Sequence, residues 1–223
     1  MAAGTFMFDA YGTLFDVHAA VARAGSPLGD MAGSISQLWR VKQLEYSWTT
    51  TLIGGFDDFW TLTERGLDFA LARHGVADAG LRRALLDAYL NLDAYSDVAP
   101  LLRRLRAAGK ATAIFTNGTR KMVDAAIAAA GLADLIDHVV TVEPVRAYKP
   151  APADYAAAQA AVDAARPGDV VFVSSNRWDV AGAASFGFSA VWINRTGQPD
   201  EYPGRDPVAE LTGLADLEAF VIA

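Results

Sequence analysis

The chain of 223 residues has no cysteine, which excludes disulfides, thiolate metal sites and thiol nucleophiles together. Histidine is scarce too. His18, His74 and His138 are scattered without metal-ligand spacing, so neither a histidine base nor a metal centre is expected. No run of about 18 apolar residues occurs, so no membrane-spanning helix is expected. Positive charge is in deficit: the net charge is −7, against binding to nucleic acid, which needs Lys and Arg to neutralise phosphates. The opening Met1-Ala2-Ala3-Gly4 lacks the charged-then-apolar pattern of a signal sequence, and a cytoplasmic location is the expectation. An acidic molecule that handles an anionic substrate must build a local cationic site for it.

What the chain does have is alternation. Thr5-Phe6-Met7-Phe8 is a short apolar run of β-forming residues, and four more follow, at Ala111 to Thr116, His138 to Val142, Asp169 to Ser174 and Ala190 to Ile193. Helical stretches separate them, at Val98 to Ala108, Arg120 to Ala130, Pro152 to Ala164 and Trp178 to Phe186. Leu101, Leu102, Leu105 and Ala108 keep the spacing of an amphipathic helix, and Gly109 ends it. Strands alternating with helices predict an α/β fold with a parallel, doubly wound sheet.

Residues 16–95 break this rhythm. They carry Trp39, Trp48, Trp60, Phe56 and Phe59, contain no clear strand and show helical periodicity, at Leu38, Val41 and Glu45 to Trp48, then Phe59 to Leu71, then Leu81 to Leu92. An all-helical insertion after the first strand is the economical reading, with 1–15 and 96–223 forming the core and 16–95 a cap over the strand ends. The tail from Gly197 to Arg205 reads as loop.

Open α/β sheets place their ligands beyond the carboxyl ends of the strands. Polar residues gather at those ends: Asp9 after the first strand, Thr116-Asn117-Gly118 after the second, Lys149 beyond the third, and Ser174-Ser175-Asn176 with Asp179 after the fourth. Singly, each is an ordinary turn or helix-capping residue. Their arrival at one edge points to a site.

These segments resemble the haloacid dehalogenase superfamily, and within it the L-2-haloacid dehalogenases. The resemblance is carried by FDAYGTLFDV at 8–17, LWRVKQLEYSW at 38–48, TNG at 116–118, EPVRAYKP at 143–150 and SSNRWDVAGA at 174–183. It implies a Rossmann-like core with a helical cap inserted after the first strand. Phosphatases of that superfamily carry a second Asp two residues after the nucleophile, where this chain has Tyr11. Tyrosine is a poor substitute for a carboxylate at a magnesium site, and halide, a stable leaving group, needs no general acid. No metal and no cofactor are therefore expected.

The resemblance implies covalent catalysis on short (S)-2-haloacids, giving (R)-2-hydroxyacids and halide. Asp9 is the implied nucleophile, with Lys149 as its cationic neighbour and Asp179, beside Asn176, as the group that serves the hydrolytic water. Thr13 and Ser174 are expected to orient Asp9 or Lys149 by hydrogen bonds. Arg40, with Asn117 and Trp178, is the implied halide cradle. Thr116, Asn117 and the Tyr11-Gly12 backbone are expected to meet the substrate carboxylate. Tyr11, Leu44, Phe59 and Trp178 would wall the alkyl group, and Tyr155, which matches a family tyrosine near the lysine, is implied among the substrate-binding groups. Three positions depart from the family pattern: Thr116 where serine is usual, Val41 where a polar residue is frequent, and Arg177 where a small residue is expected. The partners implied are a small 2-halocarboxylate, its halide product and a second copy in a homodimer. Two alternatives remain, a phosphatase on the same scaffold and a catalytically silent member that binds a carboxylate or a protein.

Overall fold

Continuous apolar runs become the centre of a sheet because both faces of a parallel strand are covered by helices. In the computed structural model of the protein, which describes residues 4–220, this is how the chain is built. Met1 to Ala3, where no signal pattern was read, lie outside the described residues, as do 221–223. The strands are β1 (Thr5–Phe8), β2 (Ala111–Thr116), β3 (His138–Thr141), β4 (Val170–Ser174), β5 (Ser189–Ile193) and β6 (Ala209–Leu211). They form one parallel sheet in the order β3-β2-β1-β4-β5-β6. The order reverses direction at β1, so Asp9 stands at the switch point where such sheets bind ligands.

The centre of the sheet is dry. Phe6, Met7 and Phe8 have no exposed surface, and each such side chain contributes about 1.5–3 kcal/mol by its burial. The β1 strand ends where Ala10 begins a turn: Gly12 takes φ 88°, a left-handed conformation that a side chain would strain.

Between β1 and the helix α5 (Val98–Ala107) the described residues form α1 (Val17–Ala24), α2 (Ala32–Leu52), α3 (Phe59–Arg73) and α4 (Ala79–Leu90). No named strand lies among them. Asp16, Asp58 and Asp78 cap α1, α3 and α4 by accepting backbone N–H groups at their first turns, each cap being worth about 1 kcal/mol. The chain enters and leaves this helical segment side by side. Phe15 and Ala94 form an antiparallel bridge, the Asp16 N–H donates to the Asp93 carbonyl at 2.9 Å, and the Tyr95 N–H donates to the Leu14 carbonyl at 3.0 Å.

The remaining helices are α6 (Arg120–Ala129), α7 (Pro152–Ala161) and α8 (Arg177–Phe186), close to the expected bounds. The α1 helix and the β6 strand were not foreseen. The α1 helix is eight residues long and β6 three, too short to show a period. Val41, placed on the apolar side of its helix by periodicity, is 56% exposed.

Candidate active site

At the carboxyl ends of β1, β2 and β4 the chain must satisfy a set of polar groups removed from water. It does so with one buried cation. Lys149 has no exposed surface, and its Nζ donates to Asp9 Oδ1 at 3.1 Å, to Asp179 Oδ2 at 2.6 Å and to the Phe115 carbonyl at 2.9 Å. The ammonium also lies over the rings of Phe115 and Phe172, at 4.7 and 5.5 Å from their centroids. Burial disfavours its charge, but Asp179 and Asp9 outweigh that and hold its pKa above that of an ordinary lysine. Its backbone is fixed as well: the N–H donates to Asn117 Oδ1 at 3.0 Å, and the carbonyl accepts from Trp48 Nε1 at 3.0 Å.

Asp9 is bonded on both oxygens. Lys149 serves Oδ1, while Thr13 Oγ1 at 3.0 Å and Asn176 Nδ2 at 2.8 Å serve Oδ2. Thr13 is itself held by the Ser175 N–H at 2.9 Å, so the loops after β1 and β4 are tied through the carboxylate. Asp179 opens α8 with no exposed surface and takes a hydrogen bond from Tyr155 Oη at 2.7 Å. Burial raises its pKa, Lys149 lowers it and Asp9 raises it again, with the result at about 6. Contact between α7 and α8 at this point requires Gly182, where a Cβ would collide with Tyr155 Oη and lie 2.7 Å from Pro150 Cβ.

Three expected partnerships come out differently. Ser174 does not bond Asp9 or Lys149: its Oγ accepts from the Asn176 N–H at 3.1 Å and lies 3.5 Å from Asp179 Oδ2. Tyr155, expected with the substrate-binding groups, lies behind Asp179 and does not line the cavity. The Gly12 N–H donates to the Phe15 carbonyl at 2.8 Å, so this donor is spent within the turn instead of on a ligand.

The cavity above Asp9 is lined by Asp9, Tyr11, Arg40, Leu44, Phe59, Thr116, Asn117 and Trp178. Its volume is about 10 Å³, room for a single water at most. Arg40 reaches it from α2. Its Nη1 donates to Gln43 Oε1 at 2.6 Å, and Gln43 is fixed in turn by Thr63 Oγ1 at 2.6 Å and Tyr89 Oη at 3.1 Å. Among the described residues Arg40 forms no ion pair, so its charge is left for the cavity. Tyr11 stacks on Tyr89 with centroids 5.5 Å apart, and Trp178 meets Trp48 edge-on at 5.4 Å. Thr116 Oγ1 accepts from the Gly118 N–H at 3.0 Å.

Of the departures, Thr116 lines the cavity and Val41 does not. Arg177 turns away to the tail loop: its guanidinium pairs with Asp200 at 2.7 Å and donates to the carbonyls of Tyr202 and Arg205 at 3.0 Å. Gln43, Tyr89, Trp48 and Phe115 support the site without having been singled out. Only Gln43 carried a signal, lying three residues after Arg40 on the same helix face.

Comparison with known proteins agrees with this fold. The sequence pattern of the haloacid dehalogenase-like hydrolases matches residues 4–187. The chain is 44% identical to (S)-2-haloacid dehalogenase 1 of Pseudomonas sp. (strain CBS-3), over 97% of this chain and 95% of the relative. Its fold is similar to the crystal structure of a dehalogenase with an intermediate complex, with a TM-score of 0.95, 41% identity and coverage of 98% and 97%. It is similar also to the L-2-haloacid dehalogenase of Xanthobacter autotrophicus with chloropropionic acid covalently bound, with a TM-score of 0.91, 34% identity and coverage of 100% and 99%. The chain belongs to the haloacid dehalogenase-like hydrolases, among the L-2-haloacid dehalogenases.

Proposed function

We propose that the protein is a hydrolytic dehalogenase that converts short (S)-2-haloacids to (R)-2-hydroxyacids and halide through an ester on Asp9. The observation that carries this reading is the cavity in which the Asp9 carboxylate and the Arg40 guanidinium, a cation with no ion-pair partner among the described residues, share one small enclosed space. In the first step an Asp9 oxygen bonds to carbon 2 of the substrate as the carbon–halogen bond breaks, with inversion. The electron pair leaves with the halide, which Arg40 receives; a fixed cation in a dry site stabilises charge that develops there.

In the second step water attacks Cγ of the Asp9 ester and gives its proton to Asp179. Burial raises the pKa of Asp179 and so makes it a stronger base for that proton than an ordinary carboxylate. Lys149, Thr13 and Asn176 donate to the oxygens on which negative charge builds during this attack. The acyl C–O bond breaks, the leaving oxygen takes up the proton that Asp179 received, and the carboxyl formed on Asp9 gives its own proton to solvent, so the 2-hydroxyacid departs with the configuration at carbon 2 set in the first step. Thr116 and Asn117 supply the contacts for the substrate carboxylate, and Leu44, Phe59, Tyr11 and Trp178 the apolar wall.

A 2-halocarboxylate is larger than the cavity, so binding needs the helices of 16–95 to move away from the sheet. The paired crossings at Phe15 and Ala94 are the natural hinge. This supports the division into a core of 1–15 and 96–223 and a cap of 16–95. A cytoplasmic homodimer completes the proposal. No helix among the described residues is long and apolar enough to cross a membrane, and Leu52 and Ile53 at the end of α2 are 86% and 77% exposed, apolar surface that a second copy would cover.

The test is halide release from both 2-chloropropionate enantiomers and from fluoro-, chloro- and bromoacetate, with EDTA present. Release from the S enantiomer with R-lactate as product is expected. In a single turnover in ¹⁸O-water, the label should enter the Asp9 carboxylate and not the product. No halide release, or label in the first product, overturns the reading; magnesium-dependent phosphate release from a small ester would revive the phosphatase.

A further inference from the structure

The ring of Tyr11 walls the cavity above Asp9, but no step of the dehalogenation uses its hydroxyl. Tyr11 is 3% exposed, and its Oη is buried without a hydrogen-bond partner among the described residues. Buried hydroxyls are ordinarily bonded, because one left unpaired costs the hydration it has lost. The ring is firmly held. It stacks on Tyr89 with centroids 5.5 Å apart and lies tilted against Phe15 at 6.4 Å. It also passes so close to Gly118 that a Cβ there would stand 2.8 Å from Cε2 and 3.2 Å from Oη. That same point lies 3.3 Å from Thr116 Oγ1, so the two hydroxyls flank one corner of the cavity. Thr116 Oγ1 accepts the Gly118 N–H and keeps its own hydrogen to give. Burial pushes the pKa of Tyr11 well above that of an ordinary tyrosine, so its hydroxyl too keeps a proton to donate.

We propose that Tyr11 Oη donates a hydrogen bond to the carboxylate of the substrate and, with Thr116 and Asn117, completes the site that holds that end of the molecule. The unpaired hydroxyl is then a donor kept in reserve for a ligand. It supplies what the turn withholds, since the Gly12 N–H is spent on the Phe15 carbonyl. Position favours the carboxylate over the halide as its acceptor. Tyr11, Thr116 and Asn117 all belong to the turns after β1 and β2, and they keep their places when the helices of 16–95 move away. Arg40 travels with α2. The carboxylate site thus stands ready in the open form, and the halogen meets its cation only on closure. A rigid donor set of this kind spends little entropy on binding. The inference rests on the reading of Thr116 and Asn117 as contacts of the carboxylate.

Propionate carries the carboxylate without the halogen, and bromide carries the leaving group without the carboxylate, so the two probe the ends of the site separately. Each is titrated calorimetrically into the wild type and into Tyr11→Phe, and the Tm of both ligand-free proteins is measured alongside. The Kd of propionate is expected to rise about tenfold or more in the variant, the loss of one hydrogen bond to a charged group, while that of bromide stays. The ligand-free Tm should be equal or higher, because the variant breaks no bond and sheds an unpaired hydroxyl. The kcat/KM for (S)-2-chloropropionate should fall by the same factor as propionate affinity, since the carboxylate keeps its charge throughout the reaction. An unchanged Kd for propionate, or no uptake of propionate by the wild type, overturns the proposal. So does a loss of bromide affinity as large as that of propionate, which would give the hydroxyl to the halide. A clear fall in the ligand-free Tm overturns it as well, by showing a structural bond. Halide release is a separate matter: propionate bound by the wild type and lost in Tyr11→Phe, with no halide released by either, would keep the carboxylate site and sink the dehalogenase reading.

Discussion

The two walls of the cavity are built on opposite principles. On the sheet side, Asp9, Lys149 and Asp179 are charged, buried and bonded to one another, so fold and chemistry share the same contacts. On the helical side, Arg40 is held by neutral groups: Gln43 orients it, Thr63 and Tyr89 orient Gln43, and no carboxylate consumes its charge. In the proposed mechanism the difference follows from what each wall must do. A nucleophile and a water-serving base must be held side by side inside protein, and a shared cation does this. A group that receives a departing anion must keep its field unspent. Substitutions on the sheet side should therefore cost stability and activity together, whereas those on the helical side should cost activity alone.

Lys149→Met is the most severe test. It leaves Asp9 and Asp179 buried without their cation, and breaking such a pair costs about 3–5 kcal/mol. Thermal unfolding at pH 7 should show a large fall in Tm, and halide release should drop by about a thousandfold or more. Adding Asp179→Asn should recover part of the stability and none of the activity. Equal stability of wild type and Lys149→Met would mean that the ionic cluster does not hold the sheet edge together.

Arg40→Gln should reverse that pattern. With no ion pair to break, Tm should stay within about 2 °C of the wild type, a change expected of a substitution worth under 0.5 kcal/mol. The loss of a preorganised cation at the leaving group should lower kcat by about 10²–10³. The loss should be greatest for the worst leaving group, so fluoroacetate should suffer more than bromoacetate. A uniform loss across the halogens would remove Arg40 from the leaving-group role. Gln43→Leu follows at smaller scale. Arg40 keeps its charge but loses its orientation, and about a tenfold drop in kcat is expected, close to the worth of one hydrogen bond to a charged group. An unchanged kcat would show that α2 alone aims the guanidinium.

The sheet side was also the more legible from sequence, for the same physical reason. Its groups lie at the ends of apolar runs, and a run that ends in Asp9 or in Ser174-Ser175-Asn176 announces both strand and site. Arg40, Leu44, Phe59 and Trp178 were placed by family resemblance and do line the cavity. What stayed hidden depends on packing between distant segments. Tyr89 reaches Tyr11 across 78 residues of chain, and Tyr155 was paired with the ligand instead of Asp179 because a residue's neighbours in sequence do not say which way its ring points. Ser174, Gly12 and Val41 failed likewise: hydroxyl, N–H or methyl each had a nearer partner or faced solvent. A parallel-sheet edge strand of three residues such as β6 has no room for a pattern.

The two walls meet in a few bonds, and these set how readily the cavity opens. Trp48 Nε1 on α2 donates to the Lys149 carbonyl at 3.0 Å, Thr51 Oγ1 accepts from the Tyr148 N–H at 3.1 Å, and Tyr148 Oη donates to the Asp57 carbonyl at 2.5 Å. Trp48→Phe keeps an aromatic ring against Trp178 and removes the indole N–H alone. In the closed form the Lys149 carbonyl then lacks a donor, whereas in an open form water supplies one. The closed form should lose about 1 kcal/mol relative to the open one, a factor of about five. The substrate enters the open form and is held once the helices have returned over it, so KM should rise, by at most that factor, while kcat, which reports on the filled site, changes little. A fall in kcat with KM unmoved would place Trp48 with the ionic wall, as a support for Lys149, and not with the joint between the two.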